Sequence, residues 1–183
     1  PFEFANLHTK RQYLIDYKNK SPYLELYDPT EFTVNIMCGL PGSGKSTYAK
    51  TLGLPIISMD DIREELHISP TDDQGIIRQE FLKRTKQMLA KKQDFIIDNV
   101  NLDKTRRASL IDLCCAYKAK VNIVYKELDF KTCLERNMSR NDCVPVHIWK
   151  SMIKKMELPT HEEAHTLKII LESSKKEHSL TLE

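Results

Sequence analysis

A chain of 183 residues with 40% hydrophobic content suits one globular domain with a sizeable core and a short appendage. The 28 lysines and arginines nearly balance 26 acidic residues, for a formal net charge of +2, so a polyanion site must come from local clustering and not from a global field. Cys38, Cys114, Cys115, Cys133 and Cys143 form no C-x-x-C pair, which argues against a disulfide framework or a zinc knuckle, and no apolar run could span a bilayer; a soluble protein of a reducing cytoplasm is expected, although a chain beginning at Pro1 leaves its true N-terminus open.

Residues 1–31 hold a short helical stretch, Leu7 to Tyr17, and then the turn-rich "NKSPYLELYDPTE". This arm reads either as a segment linking to another module or, the preferred reading, as a strap laid across the sheet through Tyr23, Leu24, Leu26 and Tyr27. The globular domain is expected over residues 32–183. It opens with a buried strand, Phe32 to Met37, followed by "CGLPGSGKST" and a helix. This stretch satisfies G-x-x-x-x-G-K-[ST] in the strand-to-helix context that the phosphate-binding P-loop requires. Glycines keep the concave side free of Cβ atoms, so backbone N–H groups can converge on phosphate. Gly39, Gly42, Ser43, Gly44, Lys45, Ser46 and Thr47 are therefore the candidate ATP site, with Lys45 reaching the β- and γ-phosphates and the Ser46 hydroxyl binding Mg²⁺.

A second strand is predicted over 54–59, then a helix capped by Asp60, then a long amphipathic helix from Ile76 to Lys92. Asp60 and Arg63 follow a strand end and so face the ligand crevice of a parallel sheet. Asp60 is read as a proton acceptor, a metal holder or a plain helix cap, with Asp61 the weaker candidate. The third strand, within "DFIIDNVN", ends in Asp98, Asn99 and Asn101, and the cations Lys104, Arg106 and Arg107 follow on the next helix, where a phosphodiester would need them. A fourth strand (120–128) leads to a helix, Phe130 to Met138; Arg136 and Arg140 stand at i and i+4, to share one face and clamp a transferring phosphoryl group, or to pair with Glu135 and Asp142. A helix over 146–156 and a fifth strand, "TLKIILE", complete the series. The expected fold is α/β, a mostly parallel sheet of about four to five strands covered by helices on both faces, with an Arg-bearing lid at about 136–158.

Other signals are weaker. "HEEAH" (161–165) matches the H-E-x-x-H zinc signature but lacks a third ligand at the usual spacing, and reads as a polar helix. "DDQG" (72–75) mimics a GTPase switch, yet no N-K-x-D follows, so a loop start is expected. Cys114, Cys115 and Trp149 read as packing residues.

In order and spacing, "GLPGSGKST", "SMDDIREEL", "DNVNLDKTRR" and "ERNMSRNDCVPVHIWKSMIKKME" resemble the 5′-OH polynucleotide kinases of phage and bacterial end-healing systems, over residues 33–158. The resemblance implies ATP and Mg²⁺ as cofactors, the 5′-hydroxyl ends of RNA or DNA as acceptor, and a role in nucleic-acid repair beside linked phosphatase, phosphoesterase or ligase modules. It also implies Asp60 as general base, Arg63 on the phosphate 3′ to the terminal nucleotide, Lys45, Arg136 and Arg140 on the ATP phosphates, and Ser46 on the metal. Asp98, Asn99, Asn101 and Arg106 would then line the acceptor side. The chain departs from that family where an acidic residue is expected two places before the Asn matching Asn101; Asn99 stands there. A kinase of a small metabolite or nucleoside and a non-catalytic ATP-binding scaffold are the alternatives.

Overall fold

The computed structural model describes residues 3–69, 72–140, 143–173 and 176–182. In chain order the elements are α1 (Leu7–Ile15), β1 (Phe32–Cys38), α2 (Lys45–Thr51), β2 (Ile56–Ile57), α3 (Met59–Leu66), α4 (Gly75–Lys91), β3 (Phe95–Asp98), α5 (Lys104–Ala116), β4 (Ala119–Leu128), α6 (Phe130–Met138), α7 (Val146–Lys154), β5 (Thr166–Ser173) and β6 (Lys176–Leu182). Strands rich in Val and Ile pair in the order β2-β3-β1-β4-β5-β6, with the first five parallel and β6 antiparallel to β5. The crossovers diverge on either side of β1, which makes the end of that strand the switch point where a ligand crevice forms. The expected parallel sheet is present, and β6 extends it beyond the predicted count of strands.

Alternation along β1 sorts the core. Val34, Ile36 and Cys38 join the larger cluster with Ile62 of α3, Ile77, Phe81 and Leu89 of α4, Ile111 and Cys114 of α5, and Trp149 of α7. The spacing of Ile77, Phe81, Thr85 and Leu89 by four puts one side of α4 wholly inside, with the Thr85 hydroxyl donating to the Phe81 carbonyl at 2.7 Å. On the opposite sheet face Met37, Ile96, Val124 and Ile170 gather beneath Ala49 of α2. Toward the strand starts this face becomes polar, where the Asn122 amide donates to Asn35 Oδ1 at 3.3 Å.

Three expectations fail here. The arm is no strap: Tyr23, Leu24 and Tyr27 are exposed, and the segment folds back on α1, where the Thr9 hydroxyl donates to the Leu24 carbonyl at 2.8 Å and accepts from the Leu26 N–H at 3.1 Å. The Ser58 side chain, not Asp60, caps α3, accepting from the N–H groups of Asp60 and Asp61, so Asp60 lies in the first turn with its carboxylate released from capping. "HEEAH" is not helical but a run of turns, and among the described residues no three His, Cys, Asp or Glu side chains gather as a metal site. Pro159 two residues ahead, together with the N–H of His165 donating to the Val121 carbonyl at 3.1 Å, draws this segment toward the sheet.

His165 closes the start of the β4–β5 pairing. Its Nδ1 accepts from the Val121 N–H at 3.0 Å, which requires a neutral ring, and burial, with Arg11 nearby, pushes its pKa down to about 4. A group that protonates more readily when unfolded holds its stabilisation above pH 6.5 and loses it as pH falls toward about 4, at most about 1.4 kcal/mol per pH unit. His165→Asn, which keeps an acceptor near the Nδ1 position, is expected to flatten this acid limb relative to the parent chain; urea unfolding between pH 4 and 7 measures the difference.

Candidate active site

The loop between β1 and α2 is packed too tightly for side chains. A Cβ on Gly42 (φ +91°) would lie 2.1 Å from the Cys133 carbonyl of α6, and one on Gly39 (φ +151°) would lie 2.6 Å from the Lys126 carbonyl of β4. Trp149, 3% exposed, donates its indole N–H to the Pro41 carbonyl at 3.1 Å and packs edge-on to Phe130. The predicted packing role of Trp149 therefore includes anchoring the loop. Gly44 (φ +84°) precedes the first turn of α2 with no side-chain cap, so the helix N–H groups there face a site suited to an anion.

Lys45 is 6% exposed, and its ammonium stands 3.9 Å from Oδ1 of Asp98, at the end of the neighbouring strand β3 in register with Met37. That Asp98 oxygen and the Ser43 hydroxyl are buried with no hydrogen-bond partner. Buried polar atoms seldom remain so, and two of them at a phosphate loop fit a site completed by a bound nucleotide and its cation. Ser46 is half-buried at the first turn of α2 and Thr47 is exposed beside it. Desolvation, reinforced by the charges of Asp98 and Asp60, pushes the Asp61 carboxyl above the usual range.

Asp60 is 62% exposed in the first turn of α3 and pairs with the Arg63 guanidinium, whose Nε also donates to Gln74 Oε1 at 2.7 Å. Because β3 lies between β2 and β1, the strand that leads into α3 runs about 10 Å across the sheet from the loop strand, at ordinary strand spacing. The two amides grouped with Asp98 are engaged by backbone. Asn99 Oδ1 accepts from the Met59 N–H at 2.9 Å, tying β3 to the start of α3. Asn101 (φ +46°) donates to the Met37 carbonyl at 2.8 Å, bracing the chain behind the loop.

Arg136 lies against the loop: its Nη1 would be 3.7 Å from a Cβ on Gly44, and its Nη2 donates to Glu172 of β5 at 2.9 Å. The shared helix face expected for Arg136 and Arg140 is not formed. α6 ends at Met138 with Ser139 as its cap, and Asn137 grips both the N–H and the carbonyl of Val144, at 3.1 and 2.8 Å, so Arg140 lies beyond the helix on the turning segment. Asp142 is outside the described residues. Lys126 and Glu172, missed by the sequence analysis, also reach Gly44. Each lies within two residues of the end of its strand, as Asp98 lies at the end of β3, so the same strand-end rule applied to β4 and β5 could have found them.

Residues 34–159 match the family described as AAA domain. The chain belongs to that family. Its sheet and loop are those of the P-loop kinase fold. This AAA domain is 26% identical over 133 residues to the L-seryl-tRNA(Sec) kinase of Methanococcus maripaludis; the match covers 68% of this chain and 52% of that protein, so the chain spans about half the length of this curated relative. Among solved structures it is similar in fold to Kti12 from Chaetomium thermophilum in complex with ADP-AlF3, with a TM-score of 0.54 and 18% identity over 70% of this chain and 82% of that one. It is also similar to a chain of the Pnkp1/Rnl/Hen1 complex, with a TM-score of 0.52 and 19% identity over 62% and 41% of the two chains.

Of the three cations expected at the crevice mouth of the AAA domain, Arg107 is not available. It is fully buried, with Nε and Nη2 donating to the two Glu163 oxygens at 2.7 and 3.0 Å and Nη1 donating to the carbonyls of Asn101 and Glu157 at 3.0 and 2.9 Å. Lys104 and Arg106 are exposed on the first turn of α5. Removing one partner from a buried pair leaves the other charge uncompensated, so Arg107→Ala is expected to lower stability by about 3–5 kcal/mol, and Arg107→Met with Glu163→Leu by distinctly less, measured by urea unfolding.

Proposed function

We propose that this chain is an ATP-dependent kinase that transfers the γ-phosphoryl group to the 5′-hydroxyl of an RNA or DNA end. The observation that carries the reading is the Asp60–Arg63 pair, released from helix capping and set one strand beyond Asp98 from the phosphate loop. A hydroxyl acceptor needs a carboxylate to take its proton, and a nucleotide acceptor also carries a phosphate that a guanidinium can hold. The two groups lie one helical turn apart, so a terminal nucleotide could engage both at once.

In this reading the loop amides, Lys45 and Arg136 bind the donor phosphates, with Arg140 brought in by the segment after α6. The residues fit a magnesium ion held by Ser46, with the orphaned Asp98 oxygen close by; when bound, it screens the triphosphate charge and the charge that develops in transfer. Asp60 accepts the proton of the 5′-hydroxyl, the hydroxyl oxygen bonds to the γ-phosphorus in line, and the bond to the β–γ bridging oxygen breaks to leave ADP. Arg63 leaves Asp60 for the acceptor's phosphate as the nucleotide arrives. Asn99 and Asn101 shape the acceptor side through the backbone, and Arg106, exposed at the start of α5, is placed for a further phosphate. The arm at 1–31 would connect to other end-healing modules, and a cytoplasmic setting fits five cysteines with no disulfide among them.

A second reading draws on the 26% identity to a protein named for L-seryl-tRNA(Sec): an acceptor hydroxyl carried on an aminoacyl group at an RNA end. Labelled γ-phosphate transfer separates the two. Label on a 5′-OH oligonucleotide, and none on its 5′-phosphorylated form, on seryl-tRNA or on free nucleosides, is the expected result; label on seryl-tRNA or nucleosides alone overturns it. Asp60→Ala is expected to slow transfer by roughly 10²- to 10⁴-fold while nucleotide affinity is kept, and an unchanged rate removes Asp60 as the base.

A further inference from the structure

Lys126 and Glu172 have no part in the reading above, yet both reach the last glycine of the phosphate loop. Lys126 is 5% exposed near the end of β4, and its ammonium stands 3.1 Å from Glu172 Oε2. The other Glu172 oxygen accepts from Arg136 at 2.9 Å, so one carboxylate bridges two cations. A Cβ on Gly44 would lie 3.2 Å from Lys126 Cε, 3.7 Å from Arg136 Nη1 and 3.9 Å from Glu172 Oε2. The side on which this glycine must lack a side chain is thus the side on which all three groups stand.

The energetics of the trio are unequal. A lysine this deeply buried requires an anionic partner, whereas Glu172, near the end of β5, is 29% exposed, with water in reach. The Arg136 guanidinium, first, and then Lys126 hold the Glu172 carboxyl below its usual range, so it is an anion in the working pH range. Both cations thus stand beside Gly44 together with the carboxylate that holds them, where a polyphosphate would bring several negative charges.

We propose that Lys126 is a second phosphate-binding lysine of the donor site and that Glu172 is an internal counter-ion which the polyphosphate displaces from Lys126 and Arg136. The carboxylate keeps both cations arranged at the loop and competes with phosphate for them, so it lowers donor affinity while preserving the geometry. This rests on the donor half of the proposed function and is independent of the acceptor.

The discriminating measurement is calorimetric titration of the full chain with Mg·ATP and, separately, with inorganic tripolyphosphate. Lys126→Met is expected to weaken both ligands by about tenfold or more, as loss of a charge-assisted hydrogen bond does. Glu172→Gln, which keeps an acceptor and removes the charge, is expected to tighten both by about threefold or more; a purely structural role for Glu172 would instead weaken them. Glu172→Gln at or below the parent affinity overturns the proposal, including in the event that Lys126→Met does not fold. Lys45→Ala serves as the control. Loss of binding there, with both test variants at the parent affinity, overturns this inference alone; a parent chain that binds neither ligand overturns the donor reading as well.

Discussion

The constraint on which the site depends is steric. The phosphate loop is held between the β4 backbone and the α6 backbone so closely that Gly39 and Gly42 have carbonyl oxygens where a Cβ would be. This contact fixes the N–H groups of the loop without any ligand contact being needed, and it also brings α6 against the loop, which is how Arg136 arrives there. Trp149 completes the clamp from α7 through the Pro41 carbonyl. Preorganised donors of this kind need little rearrangement when charge develops, which is why a rigid loop is worth more to phosphoryl transfer than a flexible cationic one.

The sheet order then separates two chemistries. On one side of β1 the strand ends carry Asp98 and, beyond it, the Asp60–Arg63 pair; on the other they carry Lys126 and Glu172. The Asp98 carboxylate near Lys45 and the Lys126–Glu172–Arg136 trio near Gly44 therefore stand on opposite sides of the loop strand. Two of the three buried orphan side-chain atoms among the described residues, Asp98 Oδ1 and Ser43 Oγ, lie at this divide, the third being Arg11 Nε.

The fold and the loop were legible because they rest on periodicity and on glycine spacing, which are local. Alternation in "TVNIMC" and "KVNIVYKEL" and the four-residue spacing on α4 carry the sheet and its covering helix. What was not legible depends on partners distant in sequence. Arg107 read as an exposed cation because the nearest explanation for an Arg on a helix is solvent; its partner, Glu163, is 56 residues away in a segment whose motif suggested something else. Lys126 shows the same dependence: its place near a strand end marks it as a candidate, but its role is readable only once Glu172 is known to lie beside it. β6 escaped because a short run holding several polar residues has no apolar face strong enough to announce a strand.

Arg107 also shows how the acceptor side is stiffened without touching it. Asn101 adopts a left-handed conformation unusual for a residue other than glycine, and it is stabilised from both ends: its amide donates to Met37, while its carbonyl accepts from Arg107 and from the Cys38 thiol. Glu163 holds the guanidinium in one orientation through two hydrogen bonds. The segment that resembles a zinc signature thus bears on the site through a chain of four residues, from Glu163 through Arg107 and Asn101 to Met37 and the strand that ends in the loop. Glu163, the second of its two glutamates, is an orienting anion for a buried arginine, and this position is better understood as part of the scaffold behind the crevice than as a second centre of chemistry.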